Sequence, residues 1–252
     1  MREPDELADG IAVVSAAKRI TVLSGAGVST DSGIPDFRGP EGLWTRDPKA
    51  ERLSSFQAYR DDPEVRRASW QARLAHPVWR AEPNEAHRAL VALERAGRLV
   101  SLVTQNIDGL HQRAGSAAVL ELHGSMRETV CLQCNEHRPM GEALERVAEG
   151  NPDPSCRVCG GILKSATISF GQPLDADVLA AARDAALACD VLLAAGSSLS
   201  VQPAAGLVGL AARAGAAVVI CNASATPYDD LAAIVLRGPL GEVLPALAGR
   251  VS

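Results

Sequence analysis

The stretch that most constrains this chain is residues 20–38, ITVLSGAGVSTDSGIPDFR. Ile20, Thr21, Val22 and Leu23 form a short apolar, β-branched run, the mark of a buried strand. Gly25-Ala26-Gly27 follows at once, so the strand ends in a turn where backbone can approach a ligand closely. A strand, a glycine turn and a helix start are how α/β proteins hold phosphate groups, on free backbone N–H groups and the helix dipole. The dinucleotide fingerprint is incomplete here. Thr30 stands where its third glycine is due, and Gly33 comes too late to substitute. The turn opens instead into a polar loop carrying Ser29, Asp31, Ser32, Asp36 and Arg38. A plain coenzyme holder does not need so much chemistry beside the phosphates, so this loop reads as one that acts on the nucleotide itself.

The remaining pattern alternates. An amphipathic helix over 4–18 carries Leu7, Ile11, Val14 and Ala17 on one face. Short helices rich in Arg, Asp and Trp occupy about 43–80, with breaks at Pro48, Pro63 and Pro77, a candidate small helical module or lid. Asn84 caps a helix that Gly97 stops, and His87 begins its regular face as a structural residue. Strands are expected at 99–103, 119–122, 167–170, 190–195, 217–221 and 233–236, with helices at 176–188 and 203–214. Strands and helices joined by short links imply a parallel sheet with helices on both faces. Aromatics are only 3% of 252 residues, so the core should be aliphatic.

A cysteine-bearing segment, 126–164, interrupts this alternation. Cys131-x2-Cys134 and Cys156-x2-Cys159 offer four thiolates, the complement of a closed tetrahedral zinc site, with 21 residues between the pairs. With no open coordination position, such a zinc is structural. A redox dithiol or an iron–sulfur cluster is the alternative. His137 could compete as a ligand but reads as a surface residue. Cys189 and Cys221 sit in apolar surroundings as buried thiols.

Taken together, GAGVSTDSGIPDFR, TQNIDGLH at 104–111, LHGS at 122–125, the two CxxC pairs and GSSLSVQPA at 196–204 resemble the sirtuins, the NAD-dependent protein lysine deacylases, in the order that family shows. The resemblance runs from about residue 20 to about 245. It implies a Rossmann-like NAD-binding domain over 1–42, 81–125 and 166–252. A small domain would be built from a helical module (43–80) and a zinc-binding module (126–165). It further implies that NAD is held by Gly25, Ala26, Gly27, Ser29, Asp36, Phe37, Arg38, Gln105, Asn106, Ile107, Asp108, Gly196, Ser197, Ser198, Asn222 and Leu240. His123 would be the general base, since an unperturbed imidazole titrates near neutrality and Gly124 would leave room for substrate beside it. Ser29, Asn106 and Asp108 would orient the reacting groups, and His111 would stand behind them. Ile168, Phe170, Gly171 and Val201 would line the acyl-lysine site, with peptide backbone pairing by strand addition.

Departures from the family pattern concern that last site. Ser165 and Gln172 replace the usual proline and glutamate. Members that prefer acidic acyl groups carry a Tyr-x-x-Arg pair, whose nearest equivalent is Trp70-Gln71-Ala72-Arg73. Arginine without tyrosine points to acetyl or other neutral acyl groups.

The activity implied is acyl transfer from lysine to the ADP-ribose half of NAD, with acylated-lysine proteins as substrates. Rival readings are mono-ADP-ribosyl transfer on the same fold, an NAD-binding regulatory module without turnover, and a dehydrogenase, which the missing third glycine disfavours. A net charge of −5 gives no footprint for nucleic acid or anionic membrane. The start of the chain lacks a signal-peptide pattern, and charged residues break the longest apolar runs, so a cytoplasmic protein is expected.

Overall fold

The computed structural model describes residues 6–36, 42 and 53–249. Phe37 and Arg38, the break at Pro48 and the first residues of the helical module lie outside them.

Among the described residues, nine strands form two sheets. In chain order they are β1 (Ile20–Ser24), β2 (Leu99–Thr104), β3 (Val119–Glu121), β4 (Gly124–Cys131), β5 (His137–Pro139), β6 (Leu163–Thr167), β7 (Val191–Ala195), β8 (Ala217–Cys221) and β9 (Ile234–Leu236). Six of them make a parallel sheet in the order β3-β2-β1-β7-β8-β9. The chain moves outward from β1 to β3 on one side, then returns to β7 and moves outward to β9 on the other. The order therefore reverses between β1 and β7, and the crevice at such a reversal is where open parallel sheets bind ligands.

The alternation of strand side chains accounts for the two helical layers. Ile20, Val22, Leu102, Leu193 and Val219 face one side, where they pack with Val14, Leu90, Leu93, Leu244 and Leu247 from the helices Glu6–Ala16, Glu85–Arg95 and Leu240–Ala248. Leu23, Val103, Leu192, Val218 and Ile220 face the other, against Ala182, Ala186, Leu207, Val208 and Ala211 of Ala176–Ala188 and Gly206–Arg213. Both layers are aliphatic, and small alanines let these helices sit close on the sheet. The expected face of the first helix is only partly used: Val14 and Ala17 are buried, while Leu7 stays exposed.

The second sheet is antiparallel, in the order β5-β4-β6, with the helix Met140–Ala148 against it. Here the sequence reading is corrected. The strand expected at 167–170 lies earlier, at Leu163–Thr167, and belongs to this small sheet. Its Leu163, Lys164 and Ser165 pair with Cys131, Val130 and Thr129, so the cysteine-bearing strand captures it. Residues 168–170 leave the sheet, with Ile168 N–H donating to the His123 carbonyl (2.8 Å) and Phe170 N–H to the Ser54 carbonyl (2.8 Å). β4 begins at Gly124 and β6 ends at Thr167, so the small sheet overruns both expected module boundaries.

The helical segment also differs in detail. Pro63 and Pro77 open helices, Pro63–Leu74 and the short Pro77–Trp79, because a proline at the first helical position lacks only an N–H that would be unpaired anyway. Trp70 is fully buried with Cys131, Met140, Ala143 and Val147 in the core of the cysteine module. Tyr59, on the preceding helix Phe56–Asp61, ties the helical segment to β6, its hydroxyl donating to the Leu163 carbonyl at 2.7 Å.

Candidate active site

The first glycine turn lies at the sheet reversal. After β1 the chain enters a short 3-10 helix, Ala26–Ser32, closed by Gly33 at φ 80°. Its partner turn, Gly196-Ser197, follows β7. Gly27 N–H donates to the Gly196 carbonyl at 2.8 Å, and Gly25 N–H to the Ala195 carbonyl at 2.9 Å. A β-carbon on Gly25 would fall 2.7 Å from the Gly196 carbonyl oxygen, and one on Gly27 2.8 Å from the Gly196 α-carbon. Both glycines are thus required by the contact between the two turns themselves, in addition to any approach by a ligand. Gly196 adopts φ 64°, and a side chain there would strike the Val28 amide.

The 105–108 loop leaves β2 beside these turns. Ser29 donates to Asp108 Oδ2 at 2.8 Å, and Asn106 Nδ2 donates to Ser29 Oγ at 3.2 Å. All three are buried. Gln105 Nε2 donates to Ser197 Oγ at 2.9 Å, joining this loop to the second turn. The loop is also gripped from the cysteine module. Met126 N–H donates to the Ile107 carbonyl at 2.8 Å, and Arg127 Nε to the Asp108 carbonyl at 2.9 Å, the guanidinium lying 5.5 Å over the Trp79 ring. Arg127 was not visible as a site residue in the sequence, because only the antiparallel return of β4 brings it across Gly109.

His123 joins β3 to β4. Its Nδ1 lies 3.0 Å from the Gln105 carbonyl oxygen. A carbonyl can only accept, so Nδ1 carries the proton and Nε2 keeps its lone pair. Burial lowers the imidazole's pKa, against the opposing pull of that same bond. The ring is therefore neutral, oriented and basic at Nε2. The glycine that follows it is required by the neighbouring strand. A β-carbon on Gly124 (φ 67°) would fall 2.0 Å from the Ala166 carbonyl oxygen, so the glycine serves the passage of β6.

The other expected residues are placed as follows. Ala26 and Gly27 are half-buried on the first turn, and Asp36 closes the described part of its loop. Ser198 pairs with Ser200 at 2.8 Å. Asn222 directly follows β8, its Nδ2 donating to the Ser224 carbonyl at 2.8 Å, while Arg237 donates to the Asn222 and Ser224 carbonyls. Leu240 begins the last helix beside Asp31 and packs partly on the main core. Phe170 is 42% exposed. Its N–H donates to the Ser54 carbonyl and its C=O accepts the Phe56 N–H, a parallel bridge opposite Ser55, so its own backbone is not the free edge for an added strand. Ser169 N–H is closed onto Gln172 Oε1 at 3.0 Å, and Gly171 turns the chain at φ 89°. Val201 is half-buried, its carbonyl accepting from Ala205 N–H.

The cysteines converge. Sγ atoms of Cys131, Cys134, Cys156 and Cys159 all lie within 4.8 Å of one another, with Cys131–Cys159 at 3.5 Å and Cys134–Cys156 at 3.7 Å. A tetrahedron with zinc–sulfur bonds of about 2.3 Å has edges of about 3.8 Å, so the donor set fits a structural zinc. His137 instead pairs with Glu128 at 3.2 Å.

Parallel strands with two interlocked glycine turns at the order reversal, amides and a carboxylate beside them, and a four-thiolate module define a nucleotide-handling α/β protein. The sequence model of the Sir2 family matches residues 25–203. NAD-dependent protein deacetylase 2 of Streptomyces coelicolor is 54% identical over 90% of this chain and 95% of its own length. NAD-dependent protein deacylase 1 of Archaeoglobus fulgidus is 41% identical over 94% and 95%. A solved Sir2 enzyme superposes with a TM-score of 0.88 at 40% identity, covering 98% of this chain and 97% of that one. A Sir2 variant solved with a deacetylated peptide and 3'-O-acetyl ADP-ribose gives 0.89 at 32% identity, with 96% of each covered. The chain belongs to the Sir2 family.

Proposed function

We propose that the protein is an NAD-dependent protein-lysine deacylase, moving the acyl group of a modified lysine onto the ADP-ribose half of NAD and releasing nicotinamide and O-acyl-ADP-ribose. The observation that carries this reading is His123, neutral and basic at Nε2, set beside the Ser29–Asn106–Asp108 cluster. Relatives named as deacetylases and deacylases at 41–54% identity support it.

The residues suit NAD. The Gly25, Gly27 and Gly196 amides are bonded to carbonyls, so the Ala26, Ser197 and Ser198 amides of the two turns would meet the pyrophosphate, and the amides and carboxylate of Gln105, Asn106 and Asp108 would match ribose hydroxyls and a carboxamide. Asn222 takes the adenine ribose. NAD supplies a glycosidic bond to nicotinamide whose loss leaves a sugar carbon open to an acyl oxygen. Ser29 and Asp108 hold the sugar's orientation, Asn106 fixes the approach, and His123 Nε2 accepts a ribose hydroxyl proton. Burial of this cluster keeps stray water from the sugar. Phe170, Ile168, Gly171 and Val201 form the channel for the acyl-lysine. For location we propose the cytoplasm, because the two CxxC pairs converge as a metal-binding set and not as disulfides.

The test is mass spectrometry of the protein with NAD and matched acetyl-lysine and succinyl-lysine peptides. Loss of an acyl group with an equal yield of O-acyl-ADP-ribose is expected. His123→Ala should lose at least about a hundredfold in this yield while still binding NAD. Intact peptides with ADP-ribose appearing on protein would overturn the proposal in favour of ADP-ribosyl transfer.

A further inference from the structure

We infer that His111 is a positioning residue for the proposed deacylation, setting the 105–108 loop through Ser24 and Thr104 without touching substrate. The inference rests on the reading above for what the loop does, and on geometry alone for how the loop is held.

His111 is 1% exposed on the short helix Leu110–Ala114. Its Nε2 lies 2.9 Å from Ser24 Oγ, at the end of β1. Ser24 Oγ donates to Thr104 Oγ1 at 2.8 Å, at the end of β2. A hydroxyl has one proton, and that of Ser24 is spent on Thr104. The bond from the imidazole is therefore Nε2–H donating to Ser24. Thr104 Oγ1 in turn accepts the backbone N–H of Asn106 at 3.0 Å. Donors point one way along the path from His111 to Thr104, and Asn106 N–H closes on the same oxygen. Ser24 and Thr104 are as deeply buried as the histidine. A chain of bonds in such low dielectric is mutually strengthening, and costly to break at any link.

The same buried patch reaches the other loop. His111 packs against fully buried His87, ring centroids 4.9 Å apart. His87 Nδ1 closes the capping box with Asn84. The Asn84 side chain donates to the Val28 carbonyl at 2.8 Å and to Ser32 Oγ at 3.0 Å, on the glycine-turn helix that carries Ser29. Ser29 and Asn106 are bonded to each other, and both of their segments are anchored to this one polar cluster. Among the described residues His111 Nδ1 has no hydrogen-bond partner, so the tautomer is decided at Ser24. If the proton moved to Nδ1, Ser24 would have to turn its own proton to the ring and release Thr104.

The experiment compares wild type with His111→Leu, His111→Gln, Ser24→Ala and the double variant His111→Leu/Ser24→Ala. Four quantities are read: thermal midpoint, KM for NAD, kcat on an acetyl-lysine peptide, and hydrogen exchange of the Asn106 amide. His111→Leu and Ser24→Ala should each lower kcat about tenfold or more with KM for NAD changed less than about twofold, and should speed Asn106 exchange about tenfold. The double variant should be no worse than the worse single, because both cut one path. His111→Gln, which keeps an N–H donor near Nε2, should recover most of kcat. A folded His111→Leu with wild-type kcat and wild-type Asn106 exchange overturns the inference, as do single losses that multiply in the double. Should His111→Leu fail to fold, Ser24→Ala and His111→Gln decide the matter by the same criteria. An inert wild type would refute the deacylase reading instead, while the exchange result would still judge how the loop is held.

Discussion

Lowering the pH from 7.5 to 5.5 should cost this protein about 3 kcal/mol of folding stability through two buried imidazoles. Burial drives the His87 pKa down to about 4, with Asp108 opposing and Arg88 assisting. It drives that of His111 down to about 3, with His87 adding to the effect. An unfolded histidine titrates near 6.5. Between those values the unfolded chain binds protons that the folded chain refuses, so the stability present above about pH 6.5 is lost as pH falls below it. At pH 5.5 each unfolded imidazole gains RT ln(1 + 10), about 1.4 kcal/mol, and the pair about 3. The folded values hardly enter, since both lie well under the working pH. Lys164, fully buried and brought down to about 7 chiefly by burial, works with the same sign but mostly at higher pH, adding about 0.8 kcal/mol over this window. His111→Gln separates the two. It should remove about 1.4 kcal/mol of the pH-dependent difference and leave the lysine's share intact. The assay is urea unfolding followed by tryptophan fluorescence at both pH values, with excess zinc. A His111→Gln variant with the wild-type pH difference, or His87 and His111 imidazole resonances of the folded protein titrating near 6.5, would refute the reasoning.

Two further outcomes follow from the geometry. Gly124→Ala places a β-carbon against the Ala166 carbonyl in left-handed backbone, which costs about 1–2 kcal/mol before any clash is relieved; a thermal melt should fall by several degrees, and an unchanged melt would count against the junction described. Chelation, or Cys131→Ser, should remove the metal and loosen the end of β4, releasing the grip of Met126 and Arg127 on residues 107 and 108. Zinc analysis and deacylation should fall together, and full activity without zinc would sever that link.

Local pattern was enough for much of this molecule. A helix over 176–188 and a strand over 217–221 were legible to the residue, because uninterrupted apolar periodicity needs no partner to declare itself. The cysteine spacing announced its cluster, and the motif order announced the family. The strand at 163–167 was misplaced because its sequence, LKSAT, carries a buried lysine and no apolar alternation; pairing with β4 made it a strand. Gly124 shows a different limit. Its presence was plain, but the atom that requires it, the Ala166 carbonyl, lies over forty positions along the chain.

By itself the sequence determined the chemistry on offer: an imidazole, two amides, a carboxylate, four thiolates and glycines where turns must be tight. Those are properties of residue types and short spacings, which survive without any fold. Only the tertiary structure decided which nitrogen of His123 is basic, which face of the 105–108 loop is held by β4, and that His111 reaches Asn106 through Ser24 and Thr104. A hydrogen bond between residues 24 and 104 depends on two strands lying side by side in register, and register arises from the packing of the whole sheet.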